Sequence, residues 1–138
     1  MRVYVIRHGE SETNYKKQWT GWSDVHLTDK GKEDAKKARD FLKHISFDKI
    51  FASDLIRAVE TAKIVLPDYS YETSPRLREI DVGSLAGKPL SGLIDEQRER
   101  IAEYGYIDFD GENFSDENIK LFVVVVERIV NQVGADEL

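Results

Sequence analysis

Arg7, His8, Gly9 and Glu10 follow directly on the apolar run Val3-Tyr4-Val5-Ile6 at the start of the chain. A histidine beside an arginine has its protonated form disfavoured, which leaves a neutral, nucleophilic imidazole near neutral pH. An arginine in that place suits a phosphoryl group, which it can grip through two parallel hydrogen bonds. A lone histidine at a strand end is more often a satisfied polar group, but Arg7 and Glu10 flank this one. A second cation, Arg57, lies in Ser53-Asp54-Leu55-Ile56-Arg57-Ala58, behind another short apolar stretch. There it falls in the first turn of a helix, an end that favours anions. On local grounds alone, Arg57 reads equally well as an ordinary solvated helical arginine.

Both groups depend on the elements that carry them. A short apolar run bounded by glycine reads as a buried strand, and in open α/β sheets ligands sit just beyond the carboxyl ends of strands. Val3 to Ile6 is the first such strand, and Lys49 to Ala52 the second. Thr28 is the expected N-cap of a helix to about Leu42, with Ala35, Ala38, Phe41 and Leu42 on one face. Ser53 is the expected N-cap of a helix from Asp54 to about Leu66, ended by Pro67. Tyr69 to Thr73 reads as a short strand, Leu77 to Ile80 as extended, and Ser91 to Tyr104 as helical. Gly83, Gly87 and Pro89 punctuate a loop. That loop lacks the spacing of a phosphate-binding P-loop and has proline where serine or threonine belongs.

The segment near the C-terminus is ambiguous. Phe122, Val125, Val126, Ile129, Val130 and Val133 form a helical stripe, yet the run of valines at 123–126 suits a buried strand; Ser115 as N-cap and the length of the segment favour helix. Strand, helix, strand, helix order predicts an α/β fold with parallel pairing and helices on both faces, a three-layer α/β/α sandwich. At 138 residues with 41% hydrophobic content the chain makes one domain, 1–138. A net charge of −6 argues against binding nucleic acid or an anionic membrane. Without cysteine there is no thiolate nucleophile, disulfide or zinc ribbon. The expected compartment is cytoplasmic, because the chain opens straight into a strand.

At the level of motifs, the chain resembles the histidine phosphatase superfamily, which includes phosphoglycerate mutases. The resemblance rests on Arg7-His8-Gly9-Glu10 with Asn14; Thr20-Gly21-Trp22-Ser23-Asp24; and Leu27-Thr28-Asp29-Lys30-Gly31. It continues through Ser53-Asp54-Leu55 with Arg57-Ala58 and Thr61-Ala62, then Leu77-Arg78-Glu79-Ile80-Asp81-Val82-Gly83, and the weaker Gly111-Glu112-Asn113-Phe114. It implies that His8 attacks phosphorus and carries a phosphohistidine. Arg7 and Arg57 would hold the phosphoryl oxygens, assisted by Asn14, Thr20 and Gly21. Glu79 would be the general acid, its proton kept on by substrate charge and burial. Neither a cofactor nor a metal is expected, since two guanidinium groups neutralise the phosphoryl charge. The expected partner is a small phosphorylated metabolite. His26 stands where the family usually has proline or a small residue, and Trp19 and Trp22 read as loop anchors.

The resemblance also implies a second histidine, in a Ser-His-Gly turn after one further strand, which the 138 residues do not contain. The expectation is therefore a C-terminally truncated domain, with an unpaired edge on the first strand that a homo-oligomer could cover. Three readings stay open: a phosphomonoester phosphatase, a 2,3-bisphosphoglycerate-dependent mutase, and a weak or inactive phosphate-binding fragment. Mutases place an arginine after the acid residue. Ile80 stands there in this chain, which favours the phosphatase.

Overall fold

In the computed structural model, residues 2–113 are described. Helices α1 (Glu12–Tyr15), α2 (Asp29–Leu42), α3 (Ile56–Val65) and α4 (Asp95–Tyr104) alternate with strands β1 (Phe51–Ala52) and β2 (Glu72–Thr73). The strands pair in parallel, Phe51 with Glu72 and Ala52 with Thr73, so β1, α3 and β2 form a crossover unit. This is the α/β arrangement expected from the order of elements. Among the described residues, four short 3₁₀ turns, Pro75–Leu77, Gly83–Leu85, Leu90–Gly92 and Ile107–Phe109, shape the long loops.

Helix α2 begins where its sequence says. The Thr28 hydroxyl accepts from the Gly31 amide at 3.1 Å, which satisfies one of the orphan donors of the first turn. Its inner face carries Ala35 and Leu42, which pack with Val65 of α3; Ala38, Ile45, Phe47, Ile64 and Leu66 surround them. Phe41 does not join this face and is 79% exposed. The reason is rotational: with about 3.6 residues per turn, Phe41 stands roughly 100° away from Leu42.

Three further expectations change. Val3 to Ile6 makes no strand pairing among the described residues, and its side chains are exposed. Helix α3 starts at Ile56 rather than Asp54, because Asp54 is committed to Arg78 and the Ser53 hydroxyl reaches only the Leu55 amide. The leading amide of α3 is capped from a distance instead, by Asp24 Oδ1 at 2.7 Å from the Ile56 nitrogen. Of the segment Leu77 to Ile80, Leu77 closes the 3₁₀ turn that Pro75 opens, and Arg78 after it is extended as expected. The helix-or-strand question at residues 122–126, and the N-cap at Ser115, lie outside the described residues.

The turn after His8 is set by backbone packing. A β-carbon on Gly9 would overlap the Gly31 carbonyl, and one on Gly31 would overlap the Glu10 backbone. Glu10 in turn holds the N-cap of α2: its carbonyl accepts from the Thr28 amide at 2.9 Å, and its carboxylate from the Thr28 hydroxyl at 2.7 Å. In most helices glycine-to-alanine gains about 1 kcal/mol. Here the backbone overlap wins: Gly31→Ala will lower stability by roughly 1–3 kcal/mol, read as a lower urea midpoint. An unchanged or raised midpoint would contradict this close approach.

Candidate active site

His8 is half-buried behind this turn, and the partners of its ring determine which nitrogen carries the proton. Nδ1 lies 2.7 Å from the Gly9 carbonyl, an oxygen that can only accept. Nε2 lies 3.2 Å from Arg57 Nε, a group that can only donate. The ring is therefore neutral, protonated on Nδ1, with the Nε2 lone pair turned toward Arg57. Burial lowers the His8 pKa below 6.5, and the cations Arg57 and Arg7 lower it further, against opposing effects of the Gly9 carbonyl and Glu79.

Arg57 is only 2% exposed. It enters from the first turn of α3 and spreads its donors over the loop between α1 and α2. One terminal nitrogen donates to the Ser23 carbonyl at 2.9 Å and the other to the Gly21 carbonyl at 2.9 Å. The second nitrogen also meets Glu79 Oε2 at 3.4 Å. Burial lowers the pKa of the guanidinium, with Glu79 and Asp24 opposing, and the group remains charged. Gly21 has φ of +48°, and a β-carbon there would sit 2.6 Å from Val82 Cγ2. Only glycine fits, and so the loop can present its carbonyl inward.

Glu79 reaches the site from an exposed segment. Its side chain is 54% exposed, so the burial expected to help hold its proton is not there. Its backbone is well held: Trp22 Nε1 donates to the Glu79 carbonyl at 2.7 Å. Next to it, Arg78 grips Asp54 through two hydrogen bonds of 2.7 and 2.6 Å and stacks over the Trp22 ring at 4.9 Å. Trp22 is thus a loop anchor, as its sequence context suggested.

The remaining expected residues surround this group. Arg7 is exposed and makes no hydrogen bond among the described residues, although its charge acts on His8. Asn14 closes a capping box with Ser11, accepting at Oδ1 from the Ser11 amide at 3.0 Å and hydroxyl at 2.9 Å. Asn14 Nδ2 makes no hydrogen bond among the described residues. Thr20 is buried with its hydroxyl 2.8 Å from that of Thr13, which lies 3.1 Å from Ser11. The structure thus joins His8, Arg57, Gly21 and Glu79 directly, while Asn14 and Thr20 belong to the neighbouring hydroxyl chain. Sequence reasoning gave no role of their own to Ser23, Asp24, Asp54 and Glu60, although the first three lie inside the quoted motifs. Glu60 tethers the same loop by accepting from the Leu27 amide at 2.8 Å and pairing with exposed His26 at 2.8 Å. Among the described residues no cluster of His, Asp or Glu could hold a metal ion, and no helix is long and apolar enough to cross a membrane.

Comparison with known proteins gives this geometry a context. The chain is 31% identical to the adenosylcobalamin/alpha-ribazole phosphatase of Salmonella typhimurium (strain LT2), a match covering 98% of this chain and 68% of that protein. It is 41% identical to the 2,3-bisphosphoglycerate-dependent phosphoglycerate mutase of Xanthobacter autotrophicus, over 62% of this chain and 44% of that one. The chain spans 46%, 44% and 41% of three curated mutases that it matches, about half their length or less. Among solved structures, the alpha-ribazole phosphatase of Shigella flexneri superposes with a TM-score of 0.75 at 26% identity, covering 92% of this chain and 66% of that one. The fold is therefore the α/β fold of these phosphatases and mutases. Residues 3–135 match the family directly, and the chain belongs to the histidine phosphatase superfamily (branch 1).

Proposed function

We propose that the protein is a phosphomonoester phosphatase that works through a phosphohistidine on His8, acting on a small phosphorylated metabolite. The observation that carries this reading is the approach of buried Arg57 to the unprotonated Nε2 of His8, 3.2 Å away. A nucleophilic lone pair and a fixed guanidinium meet where a tetrahedral phosphoryl group would enter. Transfer of this kind depends mainly on position and on stabilising the oxygens in flight.

In the first step Nε2 attacks phosphorus in line; the P–N bond forms as the bond to the ester oxygen breaks. Arg57 and Arg7 bear the charge of the non-bridging oxygens, with Asn14 Nδ2 as a further donor. Glu79 gives its proton to the departing oxygen. In the second step Glu79 takes a proton from water, the water oxygen bonds to phosphorus, and the P–N bond breaks to restore neutral His8.

Two features support hydrolysis over mutase chemistry. The Salmonella phosphatase match runs through 98% of the chain, whereas the Xanthobacter mutase match covers 62%. Ile80 also stands beside Glu79 where the resemblance puts an arginine in mutases. A mutase must grip a second acidic group, and Ile80 offers no charge for it. Assay with 3-phosphoglycerate and its bisphosphate cofactor separates the two, since a mutase would form 2-phosphoglycerate and a phosphatase would release phosphate.

Hydrolysis of p-nitrophenyl phosphate will disappear in His8→Ala; equal release by both proteins would defeat the reading. Glu79→Gln will slow an alkyl phosphate by about a hundredfold or more but p-nitrophenyl phosphate much less, because nitrophenolate leaves without a proton. Equal losses on both esters would remove Glu79 from the acid role. An NMR titration of the His8 ring protons will have its midpoint below 6.5, because burial and two cations oppose protonation. The neutral nucleophile is then the main form above that midpoint and is lost as pH falls through it. A midpoint above 6.5 would contradict the site electrostatics.

A further inference from the structure

Thr61 lies one helical turn beyond Arg57 on α3 and is 6% exposed. Its hydroxyl donates to the Arg57 carbonyl at 2.7 Å, a contact common for threonine inside helices. What is not local is the use of its lone pair. The Gly9 amide, 52 residues away in sequence, donates to Thr61 Oγ1 at 3.1 Å. Because the hydroxyl hydrogen is committed to Arg57, the oxygen can only accept from Gly9.

The Gly9 residue is consequently held at both of its polar ends. Thr61 takes its amide, the His8 ring donates to its carbonyl at 2.7 Å, and the Gly31 backbone leaves no room around its α-carbon. Arg57 and the His8 turn are thereby referred to the same turn of the same helix through one oxygen atom. Resting on the phosphatase reading above, we propose that Thr61 is a positioning residue for the reaction: its hydroxyl orients the Gly9 carbonyl that holds His8 in the Nδ1-protonated form, with Nε2 toward the phosphoryl site.

Removal of the hydroxyl releases the Gly9 amide, and with it the φ and ψ setting of Gly9 that aims its carbonyl at the ring, so the neutral ring loses its reason to keep the proton on Nδ1. Thr61→Val deletes the hydroxyl at nearly constant volume, Thr61→Ala deletes it with less crowding, and Thr61→Ser keeps it. Long-range proton–nitrogen NMR spectra above the His8 titration read the tautomer, with His8→Asn assigning its signals among the three histidines. Wild type and Thr61→Ser will show a ring protonated mainly on Nδ1; Thr61→Val, or Thr61→Ala should the valine variant not fold, will show a shift toward Nε2 protonation. With p-nitrophenyl phosphate, kcat will fall about ten- to a hundredfold in the deletions with KM little changed, and Thr61→Ser will restore it. A folded deletion variant with wild-type tautomer and wild-type kcat would overturn the positioning role alone. Full turnover by His8→Asn would instead overturn the phosphohistidine reading on which it rests.

Discussion

One buried cation organises this molecule. Arg57 sits at 2% exposure, and an unpaired charge so placed would cost several kcal/mol. The loop between α1 and α2 supplies what offsets that cost, through the carbonyls of Gly21 and Ser23. Hydrogen bonds to a charged group contribute roughly 1.5–3 kcal/mol each, so two of them are of the right size. The loop must then come to the helix, and the rest of the site is built around holding it there.

Several contacts serve that end from different directions. Asp24 caps the first amide of α3, Glu60 takes the Leu27 amide, and Val82 packs against the only residue type that fits at position 21. Trp22 leaves the same loop to hold the Glu79 carbonyl, and Arg78 stacks on its far side while gripping Asp54. The proposed nucleophile and acid thus approach Arg57 from chain segments 71 residues apart, and no single element carries both. Charge placement follows the same logic: the cations that lower the His8 pKa are those that would meet an incoming anion.

Much of the fold was legible in local patterns. The cap at Thr28, the inner face of α2 at Ala35 and Leu42, and the parallel β1–β2 pair were readable because each depends on neighbours close in sequence or on element order. The misplacements have one character. Ser53 lost the cap of α3 to Asp24, and Phe41 turned outward while Ala35 and Leu42 went in. Val3 to Ile6 has no strand partner among the described residues, and pairing is a property of two segments rather than one.

The site divides in the same way. Local chemistry was enough to single out His8 and Arg7, an imidazole beside a guanidinium, whereas Arg57 and Glu79 were raised to candidates by the resemblance of their motifs. The sequence left Arg57 evenly balanced between a solvated arginine and a ligand-facing one; tertiary packing removed the solvated alternative, by burying the side chain and giving its donors carbonyls 34 and 36 residues away. Which nitrogen of His8 carries the proton was likewise decided only in three dimensions, by an acceptor on one side of the ring and a donor from α3 on the other. Glu79 shows the reverse, since its expected burial did not follow from its motif: solvent access depends on what packs over a residue, and a motif does not encode that.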